Sequence, residues 1–478
     1  MTTSVTDVAE VFVGGHWRPT TGEGFDIISP ANEEVVARAV LPTQADADTA
    51  LTLAREAFDD GRWSRLSIDE RADKVAAFCA AFERRRSDFD SAWVIESGPT
   101  LEHADLLSGA VVAMWQDQVA HARAIPLQER RALPDGEVLI RREPAGVAVV
   151  VTTWNGPALY FAMKVVPALL AGCTVVVKSA VQSQLTSRIL AECADEAGFP
   201  EGVLSVLAAP TPISEYLVAD PRVDHVSLTG SIPAGRSVMA ACASNLTDLT
   251  LELGGKSPAI LIGDVPLERV LPSLIPGFIA YQGQICAALT RVLVPEHRRD
   301  EIVDALVEQL AGLQIGDPTE AGTVIGPLAS AHQFERVRGY IQKGIDEGAT
   351  LVLGGLERPR SPGFYLAPTV FADVTPEMTI AREEIFGPVL SVMTYRDLDD
   401  ALAIANGTEY GLAGSVYADD DETALAVASR LESGAVAVNT ARPSLFAPFG
   451  GRRNSGFGRE NGPEGIAEFL RIKSVMLS

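Results

Sequence analysis

The sequence lacks the residues that would staple or metallate a fold. Only five cysteines occur in 478 residues (Cys79, Cys173, Cys193, Cys242 and Cys286), an odd number without a C-x-x-C pair. This argues against a disulfide framework and a thiolate zinc site, and fits a reducing compartment. The six histidines are scattered without ligand spacing, so no metal is expected. Basic residues are also in short supply: 39 Lys and Arg stand against 63 Asp and Glu, a formal net charge of −24. Such a chain repels a phosphate backbone, and no nucleic-acid partner is expected. The most apolar run, Val165 to Val177, lies between Lys164 and Lys178 and contains Pro167 and Gly172. It falls short of the roughly 20 residues that cross a bilayer. Met1 to Trp17 shows no basic stretch followed by an apolar core, so no signal peptide is read. A cytoplasmic protein without a membrane partner is the expectation.

What is present is an ordinary globular balance, 47% hydrophobic and 21% charged, in a chain long enough for two or three domains. Its organising stretch runs from Leu249 to Ala287. A carboxylate, Glu252, leaves a strand just before Gly254-Gly255, and a thiol, Cys286, follows beside Gly283. A thiolate can form a covalent adduct, and a partly desolvated carboxylate can activate water to release it. A buried Cys and a loop Glu are the plain alternative.

Around that stretch the patterns alternate. Residues 1 to about 50 mix short apolar alternations with turns, and helical periodicity dominates from Thr43 to about Val119. Val75, Phe78, Cys79 and Phe82 make one apolar face, so Cys79 reads as core. Between His121 and Arg142, Pro126, Pro134 and Asp135-Gly136 suggest a projecting hairpin. Strands then alternate with helices, the first from Pro157 to Leu170. Val147 to Val151, Thr174 to Val177, Val203 to Leu207, His225 to Leu228 and Leu249 to Leu251 precede a second set beginning at Ala259. That alternation means βαβ units on parallel sheets, an α/β fold with Glu252 at the junction of two domains.

Two further segments carry chemistry. Trp154-Asn155-Gly156-Pro157 follows a strand at the carboxyl end of its sheet, where open α/β sheets bind ligands. An Asn amide there can donate to an oxyanion, or simply make a turn before Pro. Leu228-Thr229-Gly230-Ser231 runs from strand to turn to helix, with Gly235 beyond. Helix N–H groups there could take a pyrophosphate, although the spacing is not G-x-G-x-x-G.

Taken together with Val177-Lys178-Ser179-Ala180, Leu251-Glu252-Leu253-Gly254-Gly255-Lys256, Gln282-Gly283-Gln284-Ile285-Cys286, Glu383-Glu384-Ile385-Phe386-Gly387-Pro388-Val389 and Pro448-Phe449-Gly450-Gly451, these segments resemble the NAD(P)-dependent aldehyde dehydrogenase superfamily, from Gly14-Gly15 to the C-terminus. The resemblance implies oxidation of an aldehyde to a carboxylic acid through a Cys286 thiohemiacetal and thioester. Asn155 and the Cys286 N–H would hold the oxyanion. Glu252 would activate the hydrolytic water, and Lys164 with Glu460 would relay its proton. It implies cofactor contacts at Thr153, Trp154, Lys178 (adenosine ribose), Ser179, Val181, Gly230, Ser231 (pyrophosphate), Leu253, Gly254, Glu384 (nicotinamide ribose) and Phe386. It also implies a Rossmann-like cofactor domain (1–122 and 142–254), a catalytic domain (255–452), and a small β oligomerisation arm (123–141 with 453–478) that makes a homodimer or homotetramer.

Some positions depart from the family pattern. Val181 stands where many NAD-preferring members carry a Glu, which leaves NADP possible beside NAD. Pro272 and Pro276 are expected to kink or break the helix before Cys286, whereas Pro266 can start it. Gly156, often large in relatives, suggests a roomier tunnel, with Tyr160, Phe161, Met163, Leu445, Phe446 and Phe449 as candidate walls. Cys173, Cys193 and Cys242 read as core thiols, and His225 as structural or surface. Transfer of the acyl group to coenzyme A, or a non-catalytic structural role, are the alternatives; Glu252 favours water over coenzyme A.

Overall fold

Five runs dense in Val, Leu and Thr build the parallel centre of the first sheet. The computed structural model of the chain describes residues 6–441 and 444–477. In it β1 (Val147–Val151), β2 (Thr174–Ser179), β3 (Leu204–Ala208), β4 (His225–Thr229) and β5 (Asp248–Glu252) lie in the order β5-β4-β1-β2-β3. The first four are buried along their whole length, which is why they read as continuous apolar runs rather than alternations. Antiparallel strands close both sides: Gly456–Phe457 beside β5, and Glu10–Val13 with His16–Pro19 beyond β3. The chain leaves β1 toward β2 on one side and returns at β4 on the other. The carboxyl ends of β1 and β4 therefore flank the topological switch point, where a crevice opens.

Helices cover the sheet. Four matter for the site: α1 (Arg86–Ser97), α2 (Leu101–Ala124), α3 (Gln184–Ala197) between β2 and β3, and α4 (Ile232–Ala243) after β4. Ser231 caps α4, its hydroxyl accepting the Ala234 N–H at 3.3 Å.

The second sheet begins at Ser257, just beyond the Gly254-Gly255 turn. Its parallel strands are β6 (Ser257–Leu261), β7 (Leu289–Pro295), β8 (Thr369–Ala372), β9 (Val389–Tyr395), β10 (Ala413–Tyr417) and β11 (Ala435–Val438). They run in the order β8-β9-β7-β6-β10-β11, with Thr350–Leu353 antiparallel on β8. A third, three-stranded sheet pairs Gln128–Leu133 with Gly136–Pro144, a hairpin turning through Pro134-Asp135, and Leu470–Leu477 with Gly136–Pro144. The α/β class with parallel sheets agrees with the sequence reading.

Two expectations need correcting. The helix α5 (Leu267–Ile279) runs through Pro272 and Pro276 without a break. The prolines are four apart and share the outer face, while Val270, Leu274 and Phe278 are buried; Pro272 and Glu268 are exposed. Water can take the Glu268 carbonyl that Pro272 cannot serve, so the cost of each missing bond falls on the solvent side. The second correction concerns 157–170, read as one helix. It contains a π-turn at Phe161–Val165, with the Val166 N–H bonding the Phe161 carbonyl. Pro167 has no N–H for the Met163 carbonyl, and the ladder slips a residue just before it.

Among the described residues no helix is long and apolar enough to cross a membrane. Nor does any group of three or more His, Cys, Asp or Glu among them stand where it could hold a metal ion.

Candidate active site

Cys286 lies between the two sheets, on a half-buried loop, whereas Cys79, Cys173, Cys193 and Cys242 are buried as core thiols. The Gly254-Gly255 turn brings it to the end of β5. A Cβ on Gly255 would sit 2.4 Å from the Cys286 carbonyl oxygen, so only glycine lets these segments meet. After α5 the chain makes a left-handed turn, with φ of 48° at Tyr281, 54° at Gln282 and 70° at Gly283. Two non-glycine residues there cost about 1–2 kcal/mol each, which neighbouring contacts must offset.

The turn after β1 faces this loop. Asn155 is buried; its amide donates to the Gln284 carbonyl at 3.0 Å. Its oxygen accepts from the Tyr160 hydroxyl at 2.8 Å and the Thr153 hydroxyl at 2.6 Å. These bonds fix the amide orientation and leave its second N–H toward the crevice. Tyr160, read in the sequence only as a wall, thus orients Asn155. Phe161 does not belong to any tunnel: it is buried, its ring 6.4 Å from Phe78. The π-turn explains this, because it rotates Phe161 and Lys164 relative to a regular helix.

Lys164 is fully buried and is ion-paired with Glu460, and its amine also donates to the Ser227 hydroxyl at 3.1 Å. Glu460 is held by a two-way backbone bridge to Phe449, at 2.7 and 2.8 Å. Two residues beyond Phe449, the Gly451 N–H donates to Glu252 Oε1 at 3.2 Å, while Oε2 has no protein partner among the described residues. Burial, then the charge of Glu460, raises the Glu252 carboxyl well above the usual carboxylate range, with Lys164 pulling the other way. Burial likewise raises Glu460, against the pull of Lys164. One amine thus serves two buried carboxylates. Three residues distant in sequence are brought together here, together with a Gly451 N–H that no side-chain pattern could have announced.

The cofactor candidates of the first sheet line the carboxyl ends of its strands, whereas Glu384 and Phe386 precede β9 of the second. Lys178, one residue before the end of β2, is buried, and burial alone pulls its amine down to about 8. Glu384 accepts the Gly255 N–H at 3.2 Å, and its carboxylate lies 2.3 Å from where a Gly254 Cβ would be. Burial pushes Glu384 up to about 7. Phe386, at φ 63°, meets the Trp154 ring edge-on at 5.6 Å, and Gln333 Nε2 holds its carbonyl at 2.6 Å. Ser231 is exposed at the start of α4, whereas the Gly230 N–H is engaged by the Glu252 carbonyl at 3.0 Å. Ser179 and Leu253 are buried, and Leu253 packs on Gly235. Val181 is half-buried, its carbonyl taken by Gln184 Nε2 at 2.8 Å. A lysine without an acidic partner among the described residues, a helix start and a glycine-cradled carboxylate along one crevice fit a dinucleotide.

The Aldehyde dehydrogenase family profile matches residues 17–475. The chain is 41% identical over 474 residues to the geranial dehydrogenase of Castellaniella defragrans, covering 98% of this chain and 99% of that one. It is 40% identical to a 3-succinoylsemialdehyde-pyridine dehydrogenase of a Pseudomonas species, covering 98% of each. Among solved structures, a Mycobacterium tuberculosis aldehyde dehydrogenase complexed with NAD+ superposes with a TM-score of 0.97 at 40% identity, over 99% of both chains. A mutant aldehyde dehydrogenase C of Pseudomonas syringae, complexed with NAD+ and octanal, gives 0.95 at 36%, over 98% of this chain and 96% of that one.

The charges around Cys286 set its resting state. Burial, then Glu384, Glu252 and Glu460, push the thiol up to about 12. Without cofactor the thiol is therefore protonated across neutral pH, and its alkylation rate should climb about tenfold per pH unit with no plateau below pH 10. Iodoacetamide labelling of Cys286, followed by mass spectrometry, measures this. A plateau near pH 8 or 9 would show an ordinary or activated thiol instead.

Proposed function

This chain belongs to the aldehyde dehydrogenase family, and from that premise we propose the roles of its site residues. The protein is an NAD(P)-dependent aldehyde dehydrogenase that oxidises an aldehyde. Cys286 is the nucleophile: its Sγ bonds the carbonyl carbon, and its thiol proton is lost to water rather than to Glu252. The oxyanion is held by the Asn155 amide and the Cys286 N–H. When bound, the nicotinamide supplies the hydride acceptor. Glu252 then takes a proton from water, whose oxygen attacks the Cys286 thioester and breaks the C–S bond, releasing the acid. The Glu252 proton leaves by way of Glu460 and Lys164. The observation that carries this reading is Glu252 itself, anchored at one oxygen by Gly451, free at the other, and next to the Glu460–Lys164 pair. Glu252 is also the reason to favour water over coenzyme A as acyl acceptor.

Lys178 and Ser231 would bind the adenosine ribose and pyrophosphate, and Glu384 with Phe386 the nicotinamide side, supported by Thr153, Trp154, Ser179, Leu253 and Gly254. NAD is the favoured cofactor. Arg188, the basic residue nearest Val181 in sequence on α3, lies over the Trp17 ring and pairs with Glu192 and Glu10, so it is not free for a 2′-phosphate. Val181 offers no charge to repel one either, which makes discrimination weak.

The substrate is an apolar aldehyde. Leu159, Ile285, Leu445 and Phe449 all pack half-buried against the core cluster that also holds Met163, and none brings a charge. Relatives named for geranial, or bound to octanal, point the same way. The third sheet serves as an oligomerisation arm beside a cofactor domain and a catalytic domain that begins at 255. Ile472 and Met476 on its outer strand are 71% and 61% exposed, apolar surface that a homodimer or dimer of dimers would cover. A monomer in sedimentation would rule that out. The compartment is the cytoplasm.

Glu252→Gln should separate the half-reactions, giving a burst of about one NADH per active site and then slow turnover, in stopped-flow absorbance. An unchanged steady-state rate would show another base. Across n-alkanals from propanal to octanal, kcat/KM should rise by up to roughly fourfold per methylene; a flat or falling series would contradict an apolar tunnel.

A further inference from the structure

The end of α1 touches three loops of the site at once. Trp93 Nε1 donates to the Trp154 carbonyl at 3.1 Å, in the turn that carries Asn155. The Glu96 carboxylate accepts the N–H groups of Leu185 and Thr186, at 2.8 and 3.3 Å, at the start of α3, and also the Thr186 hydroxyl. The Ser97 carbonyl accepts the Tyr281 hydroxyl at 2.7 Å. The helix then stops at Gly98, where an added Cβ would lie 2.9 Å from both Pro30 and Pro327. This helix end is wedged in place.

Tyr281 opens the left-handed turn before Cys286, a conformation that an aromatic residue keeps only when its surroundings impose it. Its ring stands edge-on to Trp93 at 5.4 Å and is stacked on His103 at 5.7 Å. Its carbonyl takes the Gln284 N–H at 3.0 Å. Gln284 in turn accepts the Ala329 N–H on its side chain and the Asn155 amide on its carbonyl, each at 3.0 Å. The bonds run without a gap from Ser97 through Tyr281 and Gln284 to Asn155, and the thiol is two residues beyond.

We propose that Tyr281 is a positioning residue for Cys286: its phenol, bonded to Ser97, holds the thiol loop and the Asn155 amide in register. This rests on Cys286 being the nucleophile. Tyr281 is buried and acts on the thiol loop through Gln284. The alternative is a core tyrosine that supports the fold in general.

The test compares wild type with Tyr281→Phe, which keeps the ring and removes only the hydroxyl. NADH affinity by fluorescence, the single-turnover rate with NAD and octanal, and the alkylation rate of Cys286 at fixed pH are measured together. Positioning gives an NADH affinity within threefold of wild type, a single-turnover rate at least tenfold lower, and an alkylation rate changed at least fivefold. Smaller changes in either rate overturn the proposal. So does an NADH affinity that falls as far as the turnover rate, or a variant that no longer binds NADH, since either marks general support. Alkylation reads the thiol's placement whatever its role, whereas an active Cys286→Ala enzyme would defeat the nucleophile reading alone.

Discussion

The buried ion pair of Lys164 with Glu460, set beside Glu252, is the interaction on which the site depends. Each partner comes from a different construction: a π-turn after β1, a backbone bridge to Phe449, and the last residue of β5. A buried charge without its partner costs about 3–5 kcal/mol, so these three elements must be assembled together or not at all. Burial raises Glu252, and the charge of Glu460, which one amine must also serve, adds to it. Burial, and then Glu384 with the same two carboxylates, pushes the Cys286 thiol up.

Desolvation is the common cause. Lys178, Lys256, Glu384, Glu252 and Cys286 are all displaced toward their neutral forms chiefly by burial. Lys256 Nζ has no hydrogen-bond partner among the described residues and is pulled down to about 7. Both sheets deliver these groups at strand ends, where backbone turns rather than mobile loops set their positions. Glycine makes the junction close enough: Gly254 against Glu384 and Gly255 against Cys286 leave no room for a side chain.

Much of this was legible in the sequence, and the reason is local. The Val-rich runs at the centre of β1 and β2, Val147–Val151 and 175–177, are apolar because both faces are covered, and each leads into a segment of site residues. Glu252, Cys286 and Asn155 could be named because each follows a strand or turn with its own signature, and Glu384 because its segment resembles the family pattern. What was not legible depends on contacts distant in sequence. Pro272 and Pro276 were expected to disrupt α5, yet their spacing puts both on its exposed side. Phe161 was placed on a tunnel wall, but the slipped ladder before Pro167 turns it toward Phe78. The Gly451 N–H on Glu252 and the Tyr160 hydroxyl on Asn155 have no signal in a single sequence, since nothing local requires either bond.

The central claim is that an acyl group passes through Cys286 and waits there for Glu252. Its most direct test is to quench Glu252→Gln enzyme in acid after mixing with NAD and octanal, digest it, and locate any acyl mass by mass spectrometry. The account expects an octanoyl adduct on Cys286, close to one per chain, absent when NAD is omitted. No adduct, or an adduct on a different residue, would contradict it.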